Sequence, residues 1–214
     1  MMILTDSAKK VLVLAPHTDD GELGAGGTVA RLIEEGAEVY WAVFSTCEES
    51  VPEGYPRDVL QTEFLRAMDR FSIPRERISL FHYPVRYFPA HRQEILEDLV
   101  RLNRSISPSL VFAPSLHDVH QDHHTVAEEA VRAFKKTCLL GYEEPWNDLS
   151  FDNQVFISLE ERHLDVKTAA MACYESQKFR PYAGEDYLKG LARCRGVQIG
   201  RPYAEAFETV RWIL

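Results

Sequence analysis

Two short stretches gather the side chains that can do chemistry. The first is APHTDDGELGAGG, residues 15–27, in which His17, Asp19 and Asp20 follow directly on an apolar run. The second is HDVHQDHH, residues 117–124, which places His117, Asp118, His120, Asp122, His123 and His124 almost side by side. Imidazole nitrogens and carboxylate oxygens are the ligands of a catalytic zinc site, which takes three from the protein and leaves a position for water. His17 and Asp20 are close enough in one loop to supply two, and His123 can supply the third. Zinc so held lowers the pKa of water toward about 7 and polarises a carbonyl oxygen, which opens an amide to attack at neutral pH. A carboxylate that is not a ligand must then take the water's proton, and Asp19 suits that role. His120 is placed to stabilise the oxyanion and to protonate the departing amine, with Asp118 or Asp122 orienting it. Two histidines and one carboxylate also suit ferrous iron.

The elements around these stretches must bring them together. Val11 to Leu14 is continuously apolar, as expected of a strand covered on both faces in a parallel sheet, and Pro16 ends its ladder. Gly24, Gly26 and Gly27 lack a Cβ, so a helix from about Gly24 to Glu35 can begin close to whatever His17 and Asp20 hold, and Gly36 is placed to cap it. A strand over Glu38 to Phe44 completes a βαβ unit. A polar loop follows from Ser45 to Arg57, then a helix from about Asp58 with Val59, Leu60, Phe64, Ala67, Met68 and Phe71 inward. A strand at Arg77 to Tyr83, a loop at Pro84 to His91, a helix from Arg92 to Asn103 and a strand at Leu110 to Ala113 continue the alternation. Val126, Ala127, Ala130, Val131 and Phe134 mark a helix just beyond the second stretch. The expected fold is a doubly wound α/β domain, with a mostly parallel Rossmann-like sheet and helices on both faces, spanning residues 1–214 as one unit. Both stretches then stand at the carboxyl edge of the sheet, where ligands of such folds bind.

Composition excludes several function classes. A net charge of -9 opposes nucleic-acid binding, which needs a concentrated basic surface. No apolar run approaches the roughly 20 residues of a membrane span. The amino terminus MMILTDSAKK lacks the pattern of a secretory signal, so a cytoplasmic location is expected. Cys47, Cys138, Cys173 and Cys194 are scattered singly, as suits reduced thiols. The glycine-rich turn has neither GxGxxG in the right place nor a GK[ST] ending, which disfavours nucleotide binding.

The first stretch resembles the (A)PHPDDE(x)LGxGGT signature of the LmbE-like, or PIG-L, zinc-dependent N-deacetylases, and HQDHHTV resembles their downstream HPDH motif. Ser176-Gln177, Arg195-Gly196 and YAEAF at 203–207 are also similar to that family. The resemblance implies His17, Asp20 and His123 as zinc ligands, Asp19 as general base, and His120 as acid or oxyanion stabiliser tuned by Asp122. It implies a small-molecule partner, an N-acetylglucosamine-type sugar carried on a lipid, thiol, nucleotide or oligosaccharide. Ser176, Gln177, Arg195, Tyr203 and Glu205 should then approach the pocket; otherwise they are helix-end and turn residues. Thr18 and Gly21 depart from the usual proline and glutamate, with Glu22 one place on.

Arg57, Arg86 and Arg92, in or beside the two long loops, are the expected substrate-binding residues. Gly141 to Asn153 is expected as an ordinary surface loop, with a pocket rim or a homo-oligomer contact as the other possibilities. Val155 to Leu159 reads as a strand and Glu160 to Tyr174 as a helix. The expected activity is removal of the acetyl group from an amino sugar. The competing class is a non-catalytic zinc- or sugar-binding module, which would have no use for a spare base at Asp19 and acid at His120.

Overall fold

A computed structural model describes residues 9–213; the amino-terminal MMILTDSA, part of the segment read above as lacking a secretory signal, lies outside the described residues. Lys10–Ala15 forms β1. Val11, Val13 and Ala15 enter one hydrophobic core and Leu12 and Leu14 the other, all fully buried. That two-sided burial is why the strand is apolar without alternation. The other strands are β2 (Glu38–Val43), β3 (Ile78–Leu80), β4 (Leu110–Pro114), β5 (Cys138–Tyr142), β6 (Val155–Leu159) and β7 (Tyr203–Arg211), in the spatial order β3-β2-β1-β4-β5-β7-β6. β3 through β5 in that order are parallel; β7 pairs antiparallel with both β5 and β6.

Helices cover both faces, as the doubly wound expectation requires. α1 (Asp20–Glu34), α2 (Val59–Arg70), α5 (Glu161–Met171) and α6 (Glu185–Gln198) contribute to the first core. α3 (Arg92–Ile106) and α4 (Gln121–Ala133) contribute to the second. The chain winds outward from β1 to β2 and β3, then crosses to β4 on the other side of β1. β1 and β4 therefore flank the point where strand order reverses, the place where loops diverge and leave a crevice. Among the described residues no helix is long and apolar enough to cross a membrane, and all four cysteines are free.

Several boundaries differ from expectation, each for a local reason. α1 starts at Asp20 rather than Gly24, its first bond running from Leu23 N to Asp19 O at 3.0 Å. The Asp20 carboxylate in its first turn favours that early start through the helix dipole. β3 is only three residues long; beyond Leu80 the chain makes two backbone hydrogen bonds to the end of β2 and its extension, Phe81 N to Val43 O and Tyr83 N to Phe44 O. The supposed loop at 141–153 begins inside β5, which sequence patterning did not reveal. Gly36, at φ 92°, ends α1 as expected.

The glycines of α1 do not mark its beginning but make its middle accessible. A Cβ at Gly24 would fall 2.3 Å from Tyr142, and one at Gly27 would fall 2.5 Å from Leu159 and 3.1 Å from Glu205 Oε1. Through this opening Glu205 of β7 accepts hydrogen bonds from Gly27 N at 2.9 Å and Thr28 N at 2.6 Å. Lys167 of α5 donates from Nζ to Glu205 Oε1 and to Leu23 O, both at 2.6 Å. In a regular helix Leu23 O and Gly27 N form one rung, so this ion pair grips α1 at both ends of that rung, one turn beyond Asp20. Both side chains are buried, at 4% and 7% exposure. Lys167→Met strands the Glu205 charge and should cost about 3–5 kcal/mol in urea unfolding, whereas Lys167→Met with Glu205→Leu should cost much less.

Gly21, which stands where the signature it resembles has glutamate, is also fixed by packing. A Cβ there would lie 2.4 Å from Cζ2 of the fully buried Trp41 and 2.8 Å from Val13. Gly21→Ala is expected to destabilise by about 1–3 kcal/mol through overpacking. Gly190→Ala in α6, where a Cβ meets nothing within 4 Å, should instead gain up to about 1 kcal/mol of helix propensity. Urea midpoints of the two variants check this contrast of sign.

Candidate active site

β1 and β4 stop side by side, and the loops that follow them carry the two chemical stretches. His17 lies in the turn between β1 and α1, and Asp20 opens α1. His120 caps α4, whose first turn presents Asp122 and His123. Residues 106 positions apart therefore meet: His123 Nε2 is 3.1 Å from His17 Nδ1. Asp20 Oδ2 is 3.3 Å from each of those two nitrogens. Three ligands on one tetrahedral zinc, at bond lengths of about 2.0–2.1 Å, stand roughly 3.3 Å apart. The donor set and its spacing therefore fit one divalent cation. Ligand atoms of His17, His120 and His123, and of Asp20, His123 and Glu144, also gather within 4.8 Å.

Each of the three groups is oriented from behind. Asp122, fully buried, accepts from His17 Nε2 at 3.0 Å and from the backbone amides of Arg86 at 2.5 Å and Phe88 at 3.1 Å. Its carboxylate thus orients His17; toward His120 it offers only its backbone N–H, which donates to His120 Nδ1 at 3.2 Å. Asp118 Oδ2 holds His123 Nδ1 at 2.7 Å, and Oδ1 accepts from His120 N at 2.7 Å. The Asp20 carboxylate also takes His17 N at 2.7 Å. Arg86 is in the left-handed region, at φ 73°, so its amide reaches Asp122 at some cost in backbone strain.

Electrostatics separates the neighbouring aspartates. Burial and the adjacent Asp20 charge raise the Asp19 carboxyl to about 6. Burial opposes ionisation of Asp20 too, but His123 and His17 overcome it and hold Asp20 below the usual carboxylate range. Burial, with the imidazoles of His123 and His17, pushes His120 down to about 4. Glu22 is raised well above its ordinary value by burial. Tyr174 OH lies 2.6 Å from Glu22 Oε1 and 2.5 Å from Thr18 O. A protonated Glu22 can therefore donate to Tyr174, which donates to Thr18 O and ties down the turn between His17 and Asp20.

A cavity of about 600 Å³ opens over this cluster, lined by His17, Asp19, Asp20, His120 and His123 at its floor. Of the expected substrate arginines only Arg86 lines it; Arg57 and Arg92 do not. Arg57 is exposed, and Arg92 is paired with the buried Glu129 at 2.6 Å. Arg180 lines the cavity and was not assigned from sequence; Gln177 was reached through the family resemblance, and Glu144, Trp146 and Asn147 place part of 141–153 at the pocket, the alternative to an ordinary surface loop. Of the other residues that resemblance pointed to, Ser176 binds Glu63 beneath the cavity and Arg195 pairs with Glu143. Tyr203 lines a separate cavity.

Comparison with known proteins identifies the family. Residues 12–134, which carry both chemical stretches, match the PIG-L family, described as GlcNAc-PI de-N-acetylase. The uncharacterized deacetylase YaiS of Escherichia coli is 30% identical over 182 residues, covering 78% of this chain and 91% of the relative. Diacetylchitobiose deacetylase of Thermococcus kodakarensis is 23% identical over 96% of this chain and 84% of its own length. The crystal structure of the conserved protein TT1542 from Thermus thermophilus superimposes with a TM-score of 0.77 at 27% identity, covering 97% of this chain and 96% of that one. With the match extending over more than half of the sequence and including both stretches, the chain belongs to the PIG-L family.

Proposed function

We propose that this chain is a metal-dependent amidohydrolase that removes the acetyl group from an N-acetylglucosamine-type sugar conjugate. One observation carries the proposal: His17 Nδ1, Asp20 Oδ2 and His123 Nε2 converge within 3.1–3.3 Å of one another, while Asp19 and His120 line the same cavity outside that set. These three residues are the proposed ligands, with zinc the favoured ion and ferrous iron the other suited to the set. Bound there, the ion would supply polarisation of the amide carbonyl and a lowered pKa for the attacking water.

The chain's own groups do the rest. Asp19, which lines the cavity beside Asp20 without joining the ligand triangle, is poised to accept the water's proton and deliver it to the departing amine. His120 is neutral at pH 7, and its Nδ1 accepts from Asp122 N. The ring proton of that tautomer sits on Nε2, which can donate a hydrogen bond to the carbonyl oxygen as negative charge develops. Between the two roles expected of His120, its low pKa favours oxyanion stabilisation over proton donation. Asp122 acts at one remove, holding His17 in position. The diacetylchitobiose deacetylase relationship supports an acetylated sugar as substrate. A binding module of the same fold would need neither Asp19 nor His120.

Free-amine release from a panel of N-acetylglucosamine conjugates tests the activity. Wild-type protein should carry about one divalent ion per chain, lost in the His17→Ala, His123→Ala double variant. Asp19→Asn should keep its metal yet lose roughly a hundredfold or more in kcat/KM, the scale of a general base. A binding module predicts no turnover in any variant, and wild-type turnover in Asp19→Asn would remove the proposed base.

A further inference from the structure

Seven buried side-chain atoms have no hydrogen-bond partner among the described residues, and of the residues that bear them only Glu144 lines the cavity. The atom is Oε1, on a residue that is 1% exposed. A buried acceptor is costly to leave without a donor, so a ligand that brings one recovers the loss. The other oxygen is already engaged. Oε2 accepts from Asn147 Nδ2 at 3.3 Å and lies 3.6 Å from His123 Nδ1. That nitrogen is turned to Asp118, while Nε2 faces the ligand triangle. Glu144 therefore stands beside the triangle rather than in it, and the catalytic roles of Asp19 and His120 make no use of it.

The turn that carries Glu144 is fixed from several sides. Glu144 N donates to Asp148 Oδ2 at 2.8 Å, and Glu144 O accepts from Asn147 N at 2.8 Å and from Asp148 N at 3.0 Å. The preceding Glu143 is 6% exposed and pairs with Arg195 of α6. Val119 N donates to Asn147 O at 3.2 Å, which joins the turn to the loop before His120. Oε1 is thus an acceptor held in place before a ligand arrives, and such pre-organisation spares the ordering cost of binding. Its setting also selects the donor. Asp20 and Asp118 act on Glu144 with like charge, which suits a neutral hydroxyl and opposes an anion. One ligand atom each of Glu144, Asp20 and His123 lie within 4.8 Å of one another, so a group bound at Oε1 is close to the scissile amide. In an N-acetylated amino sugar the carbon bearing that amide has two ring neighbours. C1 carries the rest of the conjugate, and C3 carries a free hydroxyl.

We propose that Glu144 Oε1 accepts a hydrogen bond from the C3 hydroxyl of the amino sugar, which makes Glu144 a specificity-determining residue for an amide flanked by a free hydroxyl. The proposal rests on the amidohydrolase reading for the position of the sugar. Methyl N-acetylglucosaminide and its 3-deoxy and 4-deoxy analogues are assayed for amine release with wild type, Glu144→Gln and Glu144→Leu. In wild type, loss of the 3-hydroxyl should lower kcat/KM about tenfold or more, and loss of the 4-hydroxyl much less, because a site built to bond a hydroxyl rejects the analogue without it. Glu144→Leu should lose about tenfold or more on the parent sugar yet be indifferent to 3-deoxygenation. Glu144→Gln keeps an acceptor oxygen and should retain part of the discrimination. Urea unfolding adds a readout that a merely structural role would move the other way: Glu144→Leu, relieved of the unpartnered oxygen, should have a midpoint no lower than wild type. No 3-deoxy penalty in wild type, a penalty that follows the 4-hydroxyl instead, or one undiminished in Glu144→Leu overturns the proposal. Should no probe be hydrolysed, calorimetric binding of the same three sugars to the zinc-loaded protein decides. A 3-deoxy penalty on binding that disappears in Glu144→Leu keeps the contact while removing the hydrolysis, whereas binding indifferent to the 3-hydroxyl, or no binding, overturns the contact as well.

Discussion

Everything at the site depends on β1 and β4 lying next to each other in register, Val11 beside Leu110 and Val13 beside Phe112. Because the chain winds away from β1 before returning to β4, the loops that follow the two strands end on the same edge without a helix between them. Two nitrogens and one oxygen, contributed by residues on opposite sides of a hundred-residue excursion, are thereby brought within hydrogen-bond distance. Shifting either strand by one residue would turn its buried side chains to the other face. The two hydrophobic cores therefore fix the register, and the register fixes the ligand triangle.

Concentrating this many ionisable groups in one crevice is costly, and the surrounding structure is arranged to offset that cost. Asp118 and Asp122 each accept hydrogen bonds from an imidazole and from backbone N–H groups. Glu205 and Lys167 neutralise each other while gripping α1. Glu144 differs: it is 1% exposed, and its Oε1 has no hydrogen-bond partner. Burial and the charges of Asp20 and Asp118 push its carboxyl well above the ordinary range. Sites that hold a poised base commonly accept such imbalance, trading stability for a pre-organised field.

Much of this was legible in the sequence because it is local. A strand buried on both faces is apolar without alternation, and its abrupt change to His17, Asp19 and Asp20 marks the sheet edge. The helices of the first two-thirds announce themselves by spacing. β7 does not, because its buried Glu205 and Glu208 make an interior strand look polar; partners far away in sequence make those positions tolerable, Lys167 and the Gly27 and Thr28 amides for Glu205, and Ser115, His117 and the Asp152 amide for Glu208. Arg180 was hidden because the cavity it lines is assembled from segments far apart in the chain, which no local pattern reveals. Arg57 and Arg92 illustrate the converse. Position in or beside a long loop at the correct edge was true of both, yet neither lines the cavity. Asp122 was singled out, but its carboxylate faces His17 rather than His120, a distinction of side-chain direction that residue spacing does not contain.

The central claim is that one metal ion is bound by His17, Asp20 and His123 together. Anomalous diffraction at the zinc absorption edge, from crystals of the protein grown with zinc, tests it most directly. The account predicts one strong peak bonded to His17 Nδ1, Asp20 Oδ2 and His123 Nε2, with Asp19 and His120 outside the coordination shell. A peak held instead by His120 or Glu144 without Asp20 and His17, or no peak in the crevice between β1 and β4, would contradict it.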